Sequence, residues 1–249
     1  MRLSPHSLQR GSGVVLLVYI SLHLVNHAIG VWSLDFAERG LTLSMRLWQS
    51  VPGTILLYGA VAVHFALAIR TIYGRRHWAL PLTEWIRLCA GLSLPLLLVR
   101  HAVGTRIAAS LYGFEPNYER VIVSLLFAGT QGLQIALLAP GWVHGCLGLW
   151  LGLRGHALAQ RAKPVLLAAC VLLPALSALG FVQMKRAITA AHATRLALDA
   201  SLVEHRAALE NWRHDLLAIY VSLIVTAFAA GQLRNWLDRR AYRKAPGNA

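Results

Sequence analysis

The 249 residues are 57% hydrophobic with a mean hydropathy of +0.54, and only 14% are charged. Soluble chains carry about a quarter charged residues, so a soluble globular fold is excluded and the bilayer is the solvent for most of the protein. The formal net charge of +14 lies between the apolar runs and follows topology, which leaves no basic patch for a nucleic-acid partner.

A helix needs about twenty apolar residues to cross the hydrocarbon, where every backbone polar group must be satisfied internally. The first such run covers residues 13–33. The stretch before it, MRLSPHSLQRGSG, is basic, but no small-residue cleavage site follows the apolar run, so the helix is read as retained. The second and third runs cover 54–73 and 85–105. Residues 114–130 read as a loop with a surface helix. The fourth run, 131–153, contains Pro140 followed by Gly141, which predicts a kink and a freed carbonyl that needs a partner. The fifth covers 164–184. Residues 185–213 are rich in Ala, Leu, Arg and Glu without Gly or Pro, so the fifth and sixth helices are expected to continue outside the membrane as a helical hairpin, with His192 and His205 on its solvated face. The sixth run covers 214–234.

The fold class is therefore an all-α integral membrane protein, a six-transmembrane-helix bundle with an extended periplasmic helical hairpin. Residues 1–240 form the membrane domain and 241–249 begin a cytoplasmic linker. With the N-terminus inside, the inner segments hold fourteen Lys and Arg against two acids, Glu84 and Asp238, while the outer segments hold nine against eight. This asymmetry predicts a multi-pass protein of a bacterial inner membrane with both termini cytoplasmic. Cys89, Cys146 and Cys170 lie in apolar stretches without CxxC or CxxCH spacing, and read as packing residues.

Ionisable residues inside spans are costly and point to function. His23 and His27 lie on the first helix, His64 on the second, His101 on the third and His144 on the fourth. Bis-histidine ligation of a haem needs two imidazoles from different helices at one depth. His64 and His144 each lie about ten residues from the inner end of their helices, roughly 15 Å, and His27 and His101 about fourteen residues, roughly 21 Å. The reading is therefore two b-type haems, an inner one between His64 and His144 and an outer one between His27 and His101. His23, one turn from His27 on the same face, is the alternative first-helix ligand or a neighbour of the site. Haem propionates are anionic and seek Arg near the membrane surfaces. Arg106 and Arg100 are candidates at the outer haem, and Arg70 and Arg154 at the inner one. His23, Asn26, Gln131, Gln134, His156 and Tyr19 are all polar enough to meet a quinone, and spacing singles out none of them.

A histidine on each of four consecutive helices, paired crosswise, resembles the dihaem cytochrome b anchors of succinate dehydrogenase and fumarate reductase. The phrases LHLVNHAIG, LPLLLVRHAVGTRIAASLYG and GWVHGCLGLWLGLR more closely resemble the six-helix N-terminal anchor of certain bacterial class III adenylate cyclases. That resemblance spans about residues 13–240. It implies a dihaem membrane sensor of the quinone redox state that regulates a cytoplasmic adenylate cyclase, a lyase, and works as a homodimer through that output domain. No cyclase carboxylates are present up to Ala249, so this segment is read as the anchor of a longer protein, without a catalytic centre of its own. Two other readings stand beside it: an electron-transfer cytochrome b subunit of a respiratory complex, and a haem-free protein whose histidines hydrogen-bond between helices.

Overall fold

A computed structural model describes residues 4–191 and 197–244. His192 and residues 245–249 of the expected linker lie outside the described residues. The described chain is helical throughout its long elements and has no strand among those residues. Six helices are long and apolar enough to cross a membrane. They are α1 (Pro5–Ile29), α3 (Val51–Gly74), α4 (Leu82–Ala102), α7 (Gln131–Leu153), α9 (Lys163–Ala191) and α11 (Arg206–Lys244). An all-α six-helix bundle is thus what the sequence folds into, and both described ends of the chain lie at the same end of it.

Several boundaries move outward for local reasons. α1 begins at Pro5 rather than near residue 13, because Ser4 caps it: its Oγ accepts the Ser7 amide at 3.1 Å, and Pro5 has no N–H to leave unpaired. α4 continues through a π-helical turn, Val103–Ile107, into α5 (Ala108–Tyr112), which ends on the left-handed Gly113 (φ 70°). Between α1 and α3 lies α2 (Leu34–Trp48), capped by Ser33. Phe36, Leu43 and Leu47 form one exposed apolar stripe along it, with the exposed Trp32 just before it, the pattern of a helix lying at a membrane surface. The expected surface helix in 114–130 is α6 (Tyr118–Phe127). α8 (Ala157–Arg161) bridges α7 and α9, and α10 (Ala200–Glu204) precedes α11. Helix α7 runs through Pro140 without a break.

Around the bundle the spans contact in the closed order α9, α1, α3, α11, α4, α7, with α1 also reaching α7. Lipid offers no hydrophobic drive between apolar helices, so close packing of small residues and interhelical hydrogen bonds hold such pairs. Each interface supplies them. Ser177 Oγ donates to the Leu24 carbonyl at 2.7 Å, tying α9 to α1, and one turn on, Gly180 lies so near the His27 carbonyl that a Cβ would collide with it. Trp142 Nε1 donates to the Cys170 carbonyl at 2.9 Å and Tyr220 Oη to the Leu92 carbonyl at 2.7 Å. Near the termini, Asn235 Nδ2 donates to the Arg75 carbonyl at 2.9 Å, Arg76 pairs with Asp238, and Gly231 abuts the Tyr73 carbonyl.

At the far end, Ala37 of α2 and Tyr118, Ile122 and Val123 of α6 pack on Phe181, Met184 and Ile188 of α9. It is the one buried apolar cluster among the described residues. Helices α9 and α11 are long, as expected, but they do not pack together as a hairpin, being separated around the bundle by α1 and α3. Nor is His205 simply solvated, since its ring stacks on Tyr112 with centroids 4.5 Å apart and Trp212 Nε1 donates to the Tyr112 hydroxyl at 3.2 Å. The π turn carries Tyr112 to that position.

Because the obstacle at Gly180 is backbone, it cannot swing aside. Gly180→Ala is expected to lower stability by roughly 1–3 kcal/mol, the usual cost of overpacking, whereas Ala at the open Gly148 of α7 is neutral or stabilising. Thermal unfolding of the two variants in detergent, followed by circular dichroism, checks the contrast.

Candidate functional site

The buried histidines form two clusters at different depths. In the cluster nearer the termini, the rings of His64 (α3) and His144 (α7) meet edge to face, with centroids 6.0 Å apart and an interplanar angle of 85°. His144 Nδ1 donates to the Arg87 carbonyl at 2.9 Å; a carbonyl only accepts, so the proton sits on Nδ1 and Nε2 is left with a free lone pair. Gly91 makes this possible, since a Cβ there would meet His144 Nδ1 at 2.6 Å. His64 lies against Gly13 of α1, with Ser12 Oγ 3.2 Å from its Nδ1 and the Gln9 amide nitrogen 3.2 Å from Nε2. The Gln9 side chain must therefore move before His64 Nε2 can bind anything else. Arg87, paired with Glu84 at 2.6 Å, keeps a buried Nε without a partner beside these rings.

In the far cluster, the ring of His23 (α1) lies 5.9 Å from that of His101 (α4). His101 Nδ1 contacts Gln134 Oε1 of α7 at 2.9 Å, which again orients Nε2 as the free nitrogen. Tyr19 stacks on His23 at 6.1 Å. His27 adjoins His23, with their Nε2 atoms 3.2 Å apart, and its ring borders Tyr118 and Phe181. Its buried Nδ1 has no partner. The helix-one ring facing His101 is thus His23. Depth counted from a helix starting at residue 13 levels His27 with His101; from the actual starts at Pro5 and Leu82, His23 and His101 both lie about 18–19 residues along their helices.

Of the arginines, Arg106 donates to Thr54 Oγ1 at 3.3 Å and lies over the Tyr58 ring at the far end. Arg100 lines a separate cavity with Arg213. Arg70 and Arg154 are exposed at the terminal ends of α3 and α7. Among the polar residues weighed for a quinone, Tyr19 and Gln134 touch the far cluster directly, Asn26 borders it through Tyr118, and His156 is exposed beyond α7, at the opposite end. Sequence reasoning did not find Gln9, Ser12 or the Arg87 carbonyl. Ser12 lies four residues before Leu16 in a run taken as flanking sequence, and a backbone acceptor leaves no trace in residue type.

Two imidazoles on opposite sides of one metal, each bonded at about 2 Å, place their nitrogens about 4 Å apart and their centroids near 6 Å. Both pairs have that centroid separation, and in each one ring, His144 or His101, has an Nδ1 partner that leaves its Nε2 unengaged, while His64 Nε2 contacts Gln9 and His23 Nε2 contacts His27. Each couple offers two imidazoles, and among the described residues no group of three or more His, Cys, Asp or Glu is arranged to hold a metal ion. Two imidazoles are the protein donors that a b-type haem would take.

These features define a class: a six-span α-helical membrane protein with paired imidazoles at two depths. No family model matches the chain, and no curated protein or solved structure proves similar to it.

Beside the far cluster a buried chain ties three helices. Asn26 Nδ2 donates to the Tyr118 hydroxyl at 2.8 Å, and the Tyr118 amide donates to Glu38 Oε1 at 2.7 Å. Burial pushes the Glu38 carboxyl above its ordinary range, and the nearby Glu119 charge adds to this against the pull of two amide donors. A carboxyl raised in the fold favours stability below its unfolded pKa, about 4.3, and loses that contribution as pH rises through the folded value. Glu38→Gln keeps an oxygen for the Tyr118 amide and cannot ionise. It is expected to leave unfolding at pH 7 unchanged or raised by at most about 1 kcal/mol, since a half-buried carboxyl is screened, and to flatten the dependence between about pH 4 and 7. Melting curves at both pH values measure it.

Proposed function

We propose that this chain is a dihaem b-type membrane anchor that responds to the redox state of a membrane quinone and passes that state to a cytoplasmic output of the adenylate cyclase kind, acting as a dimer. The observation that carries the reading is the presence of two imidazole couples at two depths, in each of which one ring, His144 or His101, has an Nδ1 partner that leaves its Nε2 unengaged. His64 and His144 would hold one haem, His23 and His101 the other. A haem bound in this way supplies one-electron transfer.

The remaining roles belong to the protein's own groups. Gln134 and the Arg87 carbonyl hold the imidazoles in tautomer and angle. Arg106, at the far end, would serve a propionate there, and Arg70 and Arg154 would do so at the terminal end. Asn235 and Asp238 of α11 grip the end of α3, the helix that carries His64. Any change in the set of α3 is therefore felt in the part of α11 nearest the chain's end. In the proposed orientation that part is cytoplasmic.

The test is haem stoichiometry on the detergent-purified chain by the pyridine haemochrome assay, with two haems expected. His64→Ala and His144→Ala are each expected to retain one, as are His23→Ala and His101→Ala, because the couples share no ligand. His27→Ala is expected to retain both, with a shifted absorption band or potential. One haem or none in the unmodified chain sinks the dihaem reading. Two haems in His23→Ala with loss in His27→Ala would exchange the ligand assignment on α1.

A further inference from the structure

At the end of the bundle remote from the termini, a cavity of about 180 Å3 opens between α4, α7 and α11, lined by Leu96, Leu97, Arg100, Leu133, Arg213 and Leu217. None of the clustered histidines contributes to its wall. Leu96 and Leu133 are each about half exposed, at 48% and 47%, so the cavity opens sideways on the surface that faces lipid.

Its two cations are unequally neutralised. Arg213 pairs with Glu210 at 2.5 Å and contacts His214 Nε2 at 3.0 Å, yet its buried Nε has no acceptor. Arg100 is half-buried within the span α4 and has no ion pair or hydrogen bond among the described residues. A charge in a span is costly without a partner, and an unpaired buried donor costs further. Guanidinium forks match phosphate oxygens, with charge-assisted bonds stronger than neutral ones. The four leucines match methylene chains and would repel a fully hydrated ion. A volume several times a water's share of about 30 Å3 but below the ~300 Å3 of ordinary ligand pockets suits a headgroup phosphate and the first methylenes, with the chains left in the bilayer.

We propose that this cavity binds an anionic phospholipid of the leaflet at that end, its phosphate between Arg100 and Arg213 and its glycerol and first acyl carbons on Leu96, Leu97, Leu133 and Leu217. The site is independent of the haem reading and stands whether or not the histidines hold a cofactor.

The test uses the full chain, purified in a neutral detergent and stripped of lipid. Three probes are titrated: short-chain phosphatidylglycerol, short-chain phosphatidylcholine and inorganic phosphate. Binding is read by native mass spectrometry and by the thermal midpoint. The expected result is saturable binding of one phosphatidylglycerol per chain, at least tenfold tighter than phosphatidylcholine, with no saturation by phosphate alone. Arg100→Gln and Arg213→Gln are each expected to weaken phosphatidylglycerol at least tenfold. Arg46→Gln, which removes an exposed cation of α2 at the same end, is expected to leave it unchanged. Equal affinity for the two lipids, an equal loss in Arg46→Gln, or undiminished affinity in both cavity variants overturns the proposal. Phosphate saturating as tightly as phosphatidylglycerol overturns the lipid assignment in favour of a free-anion site. If one cavity variant does not fold, the other and the three-probe comparison on the unmodified chain decide.

Discussion

The backbones of α1 and α9 lie against each other with only a glycine and a serine between them, and most of the bundle takes its bearings from that contact. Gly180 admits the His27 carbonyl, and Ser177 hooks the Leu24 carbonyl one turn earlier. In hydrocarbon, where apolar side chains gain nothing by leaving lipid for each other, such close approach is a main source of cohesion. With this side of α1 sealed against α9, the face carrying Ser12, His23 and Gly13 turns toward α3, α4 and α7. Both histidine clusters are built on that face. The core of α2, α6 and α9 sits at the end of the same contact remote from the termini.

The two clusters have different surroundings. The far one is aromatic, with Tyr19, Tyr118 and Phe181 around its histidines and the amide of Gln134 on His101. The one nearer the termini is walled by Gln9, Ser12 and the Arg87–Glu84 pair. In a low-dielectric interior a charge gained or lost at the first site has little to compensate it, while the second has dipoles and ions at hand. In the proposed function this difference separates the sites in potential and assigns them different parts.

Much of the fold was legible in the sequence because a bilayer writes its demand plainly: the apolar lengths of the six runs follow from hydrocarbon thickness, and all six are helices. The coupling of His64 with His144 was legible as well, since both lie a similar distance from helix ends marked by Gly74 and Arg154. The ring facing His101 was not, because a capping serine at residue 4 extends α1 by two turns through polar residues that hydropathy counts as flank. Helix α2 escaped for a related reason. Its apolar residues form one stripe among charges, so no window along it is apolar enough to register, and only its three-dimensional face reveals it. The acceptors that orient the imidazoles are a backbone carbonyl and a glutamine on a distant helix, and nothing local in the chain couples them to the rings they hold.

Helix α11 runs 39 residues from Arg206 to Lys244, about 58 Å at 1.5 Å per residue, nearly twice a hydrocarbon thickness of about 30 Å. It is gripped by α3 through Asn235 and Asp238 close to its C-terminal end. A continuous helix of this kind behaves as a stiff rod: it conveys azimuth as well as displacement, and whatever follows Lys244 in helical form inherits its heading. Register beyond the grip is then an angular setting. One added residue would turn the downstream face by about 100°, and seven, close to two full turns, would bring it nearly back. Sequence length there has the meaning of phase.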